Sequence, residues 1–186
     1  MITQQVPLLF TCGHSHRSPE QLVELLRTTG IVRLIDIRRY PVSRRHPHHA
    51  RRHMRLWIES AGMHYRWEGG ILGGYRAAVA KSSHTALDDE RLRGFAAHMA
   101  GNAFMLSLRD IVQQAVDCPT ALMCAERLPE RCHRALVADY LLWQGCRVVH
   151  LIEPGVAREH RMHPGVREID GRLVYNRETT VPLDLR

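Results

Sequence analysis

Short apolar runs alternate with amphipathic segments along most of the chain. Runs with the length of buried strands predict strands, and segments whose apolar residues recur every three or four positions predict helices. The strands are predicted over residues 6–12, 31–37, 63–67, 119–123 and 146–152. The helices are predicted over residues 19–29, 54–61, 88–100, 103–116 and 131–144.

Local signals mark where several of these elements begin and end. Ser18-Pro19 is a favoured start for the first helix, and Gly30 is a favoured stop. Glycine is so dense over residues 69–75 that a loop is predicted there. Asp170-Gly171, between alternating residues, predicts a hairpin over residues 166–175.

Strands that alternate with helices predict an α/β domain of three layers, with a mainly parallel sheet flanked by helices and a C-terminal β-hairpin. The length of 186 residues suits one such domain over residues 1–186. In sheets of this kind, ligands bind beyond the C-terminal ends of the strands. Those ends carry Gly13-His14-Ser15, Asp36-Ile37-Arg38 and Cys124-Ala125-Glu126. The three clusters are therefore expected to meet at one edge of the sheet and to form a site.

The chain is strongly basic, and the charge comes almost wholly from arginine. The formal net charge is +7, and Lys81 is the single lysine. Arginine recognises phosphate and carboxylate through flat, bidentate contacts, so the partner is expected to be an anionic small molecule or a nucleic acid. A coding bias towards arginine is the alternative, but it does not explain local clusters.

The sequence also bears on the compartment. Apolar runs fall short of the roughly 18 residues of a membrane span, and the N-terminus lacks the pattern of a signal peptide, so we expect a cytoplasmic protein without a membrane partner. Five cysteines are an odd number in a chain long enough to build a core. Reduced thiols are therefore expected rather than disulfides.

The segment Cys124–Arg134 carries the densest set of reactive side chains. Cys124 is predicted to end a buried strand and to face the start of a helix, where peptide dipoles and nearby arginines favour a thiolate. The alternative is a small buried residue that only packs. The loop resembles those of phosphatases and rhodaneses in layout, but Glu130 stands where the phosphatase spacing needs arginine, and Arg131 comes one residue later. A standard tyrosine-phosphatase mechanism is therefore not expected.

The other polar side chains of this edge each have two interpretations. Glu126 is either a general base or a carboxylate that holds an arginine or caps the helix. His14 and Asp36 either transfer protons or form a structural network in which Asp36 pairs with Arg38.

The sequence argues against a metal ion at the cysteine segment. Zinc prefers thiolate and imidazole ligands, which Cys124, Cys132, His133 and His14 together supply. However, Cys132 and His133 are predicted to begin a helix, where consecutive side chains point about 100° apart. One of the two is expected to turn away from a shared ion, and Arg131 and Arg134 add repulsive charge. We therefore predict no metal and no other cofactor.

The segment 38–55 is basic and contains no acidic residue. It is predicted either to be a solvated loop or to bind a polyanion, because clustered arginines neutralise phosphates and release counterions. Tyr40 and Trp57 can stack on bases. The arginines of the segment are Arg38, Arg39, Arg44, Arg45, Arg51, Arg52 and Arg55.

Four motifs occur together in a fixed order. They are Thr11-Cys12-Gly13-His14-Ser15, Leu34-Ile35-Asp36-Ile37-Arg38 with Pro41 and Ser43-Arg44-Arg45, Leu72-Gly73-Gly74, and Cys124–Arg134. As a set they resemble the DUF488 domain family, and the resemblance covers roughly residues 8 to 176. It implies an α/β domain with its site at the predicted edge, and it implies no particular reaction.

Two functions remain open from the sequence. The first is an enzyme with a cysteine-centred, arginine-rich pocket for a phosphate-bearing or other anionic substrate, such as a nucleotide or nucleic acid. The second is a nucleic-acid-binding module that uses segment 38–55 without chemistry. In the enzyme, the catalytic residues would be Cys124, as nucleophile or redox thiol, with Glu126, His14 and Asp36, and the substrate-binding residues would be Ser15, Arg38, Arg44, Arg45 and Arg134.

Overall fold

The computed structural model describes residues 6–43 and 46–177. A sheet of six strands runs through it in the order β3-β2-β4-β1-β5-β6, and β6 alone is antiparallel to its neighbour. Strands β7 and β8 form a separate antiparallel hairpin. The predicted α/β class, mainly parallel sheet and C-terminal hairpin are confirmed. The strands are β1 (Leu8–Gly13), β2 (Arg33–Asp36), β3 (His64–Trp67), β4 (Thr120–Cys124), β5 (Arg147–Glu153), β6 (Val156–Glu159), β7 (Val166–Ile169) and β8 (Arg172–Tyr175).

Helices connect the parallel strands and cover both faces of the sheet. The first begins as its sequence predicts, because Ser18 and Gln21 form a reciprocal capping box and Pro19 occupies the first turn. None of the helices in the described part of the chain is long and apolar enough to cross a membrane. The helices are α1 (Pro19–Arg27), α2 (Arg51–Ser60), α3 (Gly69–Leu72), α4 (Glu90–Met99), α5 (Asn102–Ala115) and α6 (Arg134–Trp143).

Two predicted elements are corrected by the structure. The glycine-dense stretch predicted as a loop contains the one-turn helix α3, because the Glu68 carbonyl accepts hydrogen bonds from the amides of Ile71 and Leu72. The helix predicted over residues 131–144 starts at Arg134, because the 3₁₀ turn Pro129–Arg131 precedes it. Strand β6 was not predicted, since its four residues are exposed and lack an apolar pattern.

The core has two halves, one on each face of the sheet. Leucines of α1 pack with Met54 and Ile58 of α2 against one face. Helices α4, α5 and α6 pack against the other face. All of β4 is buried, and its side chains alternate between the halves: Met123 lies with α1 and α2, whereas Cys124 lies with α4 to α6. This alternation decides how the candidate site is divided.

A chain of buried polar groups joins the hairpin to the α4–α6 half. Tyr175 donates a hydrogen bond to one carboxylate oxygen of Asp139 at 2.9 Å, and His160 Nε2 lies 2.8 Å from the other oxygen. His160 Nδ1 lies 2.9 Å from His150 Nε2, and His150 Nδ1 lies 2.7 Å from the Thr11 hydroxyl. Because the carboxylate only accepts, His160 donates to it from Nε2. His150 then donates from Nε2 to His160 Nδ1, and the Thr11 hydroxyl donates to His150 Nδ1.

Candidate functional site

Three strand ends meet at one edge of the sheet, as the sequence predicts. Gly13 of β1 is paired with Cys124 of β4, and Asp36 of β2 is paired with Met123 of β4. Beyond the strands, the His14 amide donates to the Cys124 carbonyl at 2.9 Å. A side chain at Gly13 would begin 1.8 Å from the carbonyl oxygen of Glu126, so glycine is what allows this close approach.

The pleat of the sheet then separates the polar side chains into two groups. Asp36 follows Ile35 and therefore shares the face of Leu34, which packs in the α1–α2 half. Cys124 lies in the α4–α6 half. We refer to Asp36, Arg38, His14 and Tyr65 as the carboxylate cluster and to Cys124, Cys132 and His133 as the thiol cluster.

The carboxylate cluster is a closed network around a buried ion pair. Arg38 Nε donates to Asp36 Oδ1 at 2.8 Å, and Nη2 donates to Oδ2 at 2.6 Å. Arg38 Nη1 donates to the His49 carbonyl at 2.9 Å, and the Tyr65 hydroxyl donates to Asp36 Oδ2 at 2.6 Å. Burial and Asp36 raise the pKa of Tyr65, which keeps it a donor. The guanidinium is thus used within the fold, which favours the structural interpretation of Asp36 and Arg38.

His14 is fixed as a neutral imidazole within this network. Its Nδ1 lies 2.9 Å from the Ser15 carbonyl, which can only accept, so the proton is on Nδ1. Its Nε2 therefore accepts from Arg38 Nη1 at 3.0 Å. Burial, Arg38 and His49 lower the pKa of His14 to about 2. Ser15 adopts φ 49°, and its hydroxyl lies 3.1 Å from His16 Nδ1. The contacts with the Ser15 carbonyl and with Arg38 therefore occupy both nitrogens of His14, which leaves neither available to Cys124.

The thiol cluster brings two sulfurs against one imidazole. His133 Nδ1 lies 3.7 Å from Cys124 Sγ and 3.6 Å from Cys132 Sγ. The imidazole is held between the Phe95 ring, at 4.9 Å between centroids, and the backbone of Gly74. A side chain at Gly74 would begin 2.5 Å from His133 Nδ1, so the ring position depends on glycine.

The helical geometry predicted for Cys132 and His133, which disfavours a shared metal ion, is wrong. Cys132 is not part of a helix: it has extended backbone angles of φ −139° and ψ 141°. Cys132 and His133 therefore do not diverge as consecutive helical residues do. The three potential ligand atoms of the thiol cluster lie within 4.8 Å of one another. His14 is not among them.

The two thiols polarise each other. A hydrogen bond from Cys132 lowers the pKa of Cys124, and His133 and Arg134 lower it further, against the effect of burial. The same hydrogen bond raises the pKa of Cys132. Of the two thiols, Cys124 is therefore the one that ionises more readily. The N-terminus of α6 adds favourable dipole charge next to them.

Arg134 shapes the loop rather than facing the cavity. Its side chain is fully buried, and its guanidinium donates to the carbonyls of Cys12 at 3.0 Å, Glu126 at 2.8 Å and Arg127 at 3.2 Å. These bonds attach the segment after β4 to the end of β1. The predicted anion contacts of Arg44 and Arg45 lie outside the described residues.

A cavity of about 280 Å³ opens above the thiol cluster. Its floor is formed by the thiol cluster, and Glu126 lies exposed at its wall. The sequence singles out five of the charged and aromatic residues of the wall but assigns no site role to Tyr75, Asp89 or Arg91, because these come from the loop after α3 and the start of α4. The charged and aromatic residues of the wall are Arg38, Arg39, Tyr40, Tyr75, Asp89, Arg91, Glu126 and Arg131.

Comparison with known proteins gives one positive result. Residues 18–141 match the family model described as "Domain of unknown function DUF488". No curated protein and no solved structure matches the chain. The matched range includes both clusters except His14, and it contains every residue of the cavity wall.

Proposed function

Because this chain belongs to the DUF488 family, whose description assigns no activity, we propose its function from the site alone. The proposed function is that of a cysteine-dependent enzyme acting on a phosphate-bearing or other anionic substrate, a nucleotide or a nucleic acid. One observation carries the proposal: Cys124 lies at the floor of a cavity, next to a second thiol and an imidazole that stabilise its thiolate.

In the proposed reaction, the Cys124 sulfur bonds to the electrophilic atom of the substrate, and the leaving group departs with the electron pair of the broken bond. The leaving group takes its proton from solvent. Water then attacks the bond between sulfur and substrate, and the Glu126 carboxylate, at the wall of the cavity, is positioned to accept the proton that this water loses. The electron pair of the broken bond returns to sulfur and restores the thiolate. His14 has no part in these steps, because Arg38 and the Ser15 carbonyl engage both of its nitrogens.

Arginines support an anionic substrate. Arg39, Arg91 and Arg131 line the cavity, and the latter two are exposed. Arg91 pairs with Asp89 at 2.8 Å, and Arg39 donates to the Gly70 carbonyl. Within the described residues, the Arg131 side chain has no ion pair. It is therefore the wall residue most available for a phosphate.

Two exposed tyrosines favour a substrate with a planar ring. Tyr40 and Tyr75 line the cavity, and each exposes more than half of its surface. Their ring centroids lie 5.9 Å apart. Aromatic faces next to arginines are what nucleotide bases stack on. This arrangement favours a nucleotide or a nucleic acid over a simple inorganic anion.

We expect iodoacetamide to modify Cys124 in the folded, metal-free protein faster than it modifies Cys12 or Cys146. Burial raises the pKa of those two thiols to about 12 and about 11, and neither lines the cavity. The Cys132→Ala variant removes the hydrogen bond to Cys124 and is expected to slow its modification about tenfold at neutral pH. Peptide mass spectrometry against time measures each rate.

The Cys146→Ala variant is the control. Cys146 directly precedes β5, at the edge of the sheet away from the thiol cluster, so its replacement leaves that cluster intact. Adenosine monophosphate is expected to protect Cys124 from modification. A Cys124 thiol that reacts only after unfolding would show that it has a packing role.

Segment 38–55 supports the second function, nucleic-acid binding without chemistry. Arg51 and Arg52 are exposed at the start of α2. Arg51 lies 4.4 Å over the Trp67 ring and Arg52 contacts His53, but within the described residues neither forms an ion pair, whereas Arg38 is buried with Asp36 and Arg55 pairs with Glu59 at 2.9 Å. The observation that favours binding is therefore the exposed pair of arginines at a helix N-terminus.

Replacing Arg44, Arg45, Arg51 and Arg52 with glutamine tests this second function. If all four contact phosphates of a single-stranded oligonucleotide, the slope of log affinity against log salt is expected to fall in magnitude by about 3, at 0.7 per contact. Fluorescence anisotropy at several salt concentrations measures the slope. Replacing Arg147, at the other end of the sheet, is the control. An unchanged slope in the quadruple variant would mean that the segment is only solvated.

A further inference from the structure

We propose that Cys124, Cys132 and His133 form a zinc site with three protein ligands and a fourth coordination position open to the cavity. The zinc site itself is inferred from the geometry of the thiol cluster. A regulatory role for the ion rests on the proposed enzyme, because bound zinc would occupy Cys124, the nucleophile.

The distances in the cluster match a zinc coordination sphere. In a tetrahedral site, zinc bonds of about 2.3 Å to sulfur and about 2.0 Å to nitrogen place sulfur and nitrogen roughly 3.5 Å apart and two sulfurs roughly 3.8 Å apart. The observed distances from His133 Nδ1 are 3.7 Å to Cys124 Sγ and 3.6 Å to Cys132 Sγ. The three atoms lie within 4.8 Å of one another. Both nitrogen–sulfur distances therefore match a tetrahedral site, and the two sulfurs, which lie within 4.8 Å of each other, would be about 3.8 Å apart around the ion.

The surrounding contacts hold the ligands in place. The Arg134 amide lies 3.5 Å from Cys132 Sγ, as a donor to a thiolate ligand does. The His133 ring is fixed by packing against Phe95 and Gly74. The sulfurs face Nδ1 of this ring, and Nε2 is buried without a partner within the described residues, so Nδ1 is the ligand nitrogen.

The charges of the site are compatible with a cation. Two thiolates balance the charge of a divalent ion, whereas without the ion the two neighbouring thiols cannot both ionise. The Arg134 guanidinium donates to three carbonyl oxygens, whose partial negative charges offset part of its repulsion of a cation. Arg39, Arg91 and Arg131 line the cavity where the fourth ligand would lie. That position therefore suits water or an anionic oxygen of the substrate.

Zinc on the thiol cluster would remove the nucleophile from use. A thiolate whose electron pair is shared with the ion reacts slowly with electrophiles, so the zinc form would be a resting form. Ions other than zinc that prefer sulfur are alternative occupants. Thiolate and imidazole together, with tetrahedral spacing, favour zinc.

The experiment uses the full chain without a histidine tag, reduced and freed of metal by a chelator. Zinc is then added, the excess is removed, and bound zinc is measured by atomic emission, with the affinity taken from competition with a chromogenic chelator. We expect about one zinc per chain in the unmodified protein. The Cys132→Ser and Cys124→Ser variants are expected to bind at least about 100-fold more weakly, since even outer contacts are worth about 10- to 100-fold.

The control is Cys118→Ser, because Cys118 precedes β4 at the far end of that strand and is not part of the cluster. When cobalt replaces zinc in the unmodified protein, the absorption spectrum is expected to show thiolate-to-metal charge transfer. This measurement does not require any variant to fold. Less than a tenth of an equivalent of zinc, or an unchanged affinity in both cysteine variants, would overturn the site.

The two proposals fail separately. If Cys124 of the metal-free protein is not alkylated but zinc binds, the proposed enzyme is wrong and the zinc site is supported. If Cys124 is alkylated fast and added zinc does not slow the reaction, the zinc site and its regulatory role are wrong, and Cys124 is supported as the nucleophile.

Discussion

Replacing Asp36 with asparagine is expected to lower the free energy of unfolding by about 3–5 kcal/mol, because it leaves the Arg38 guanidinium buried without its counter-charge. The carboxylate is fully buried and receives both ends of that guanidinium as well as the Tyr65 hydroxyl. Asparagine keeps the volume but presents an amide that donates towards one of these donors. Urea unfolding followed by circular dichroism measures the change.

The control for this variant is Glu59→Gln, which breaks the exposed pair with Arg55 one helical turn away. Its expected cost is below about 0.5 kcal/mol. Equal losses in the two variants would mean that burial of the Asp36 pair adds nothing to stability. If the Asp36→Asn protein does not fold, Tyr65→Phe, which removes one donor to the same carboxylate, is expected to cost about 1–3 kcal/mol.

The fold is expected to lose stability as the pH falls from 7 to 4, and His150 is expected to contribute about 3 kcal/mol of that loss. Burial, with smaller effects of His160 and Arg134, lowers the pKa of His150 from 6.5 to about 3. Between these values the unfolded chain binds a proton that the folded chain does not. Stability is therefore complete above pH 6.5 and decreases as the pH falls towards 3.

The variant His150→Gln isolates this contribution. Glutamine retains a donor and an acceptor for the polar chain between Thr11 and Asp139, but it does not titrate. Unfolding free energies at pH 7, 5.5 and 4 are expected to fall less steeply in the variant than in the unmodified protein. His14 and His49, with pKa values lowered to about 2 and about 4, still contribute to the slope. Parallel curves for the two proteins would contradict the prediction.

The sequence contained enough to place the candidate site but not to assemble it. Alternation of strands and helices requires parallel strands, and parallel strands bring their C-terminal ends to one edge. For that reason Gly13, Asp36 and Cys124 were correctly expected at adjacent strand ends. The period of two within each strand then sent Asp36 and Cys124 to opposite faces, which a prediction of strand ends alone does not resolve.

The error at the thiol cluster came from a predicted start of α6 that is three residues too early. The apolar rhythm of α6 begins only at Ala135, and extending the helix back from it to residue 131 predicts Cys132 as helical, with a side chain that diverges from that of His133. The 3₁₀ turn at Pro129–Arg131 delays the helix and leaves Cys132 extended. Helix ends depend on local hydrogen bonds that apolar periodicity does not encode.

Arginine roles also depended on contacts that no motif describes. Arg38 and Arg134 were expected to bind an anion because they lie next to the strand ends. The structure surrounds one with a carboxylate, an imidazole and a carbonyl, and the other with three carbonyls. Buried donors must find acceptors within the fold, and which acceptors are near is settled by packing.

The sequence by itself determined the fold class, the order of most elements, and the edge of the sheet at which reactive side chains collect, because these follow from periodicity and chain direction. Tertiary structure alone decided which of those side chains touch. It placed His133 between two sulfurs by packing it on Gly74 and Phe95, and it closed the cavity with Arg91 and Tyr75. Those residues are separated by tens of positions along the chain, and only the packing of helices on the sheet brings them together.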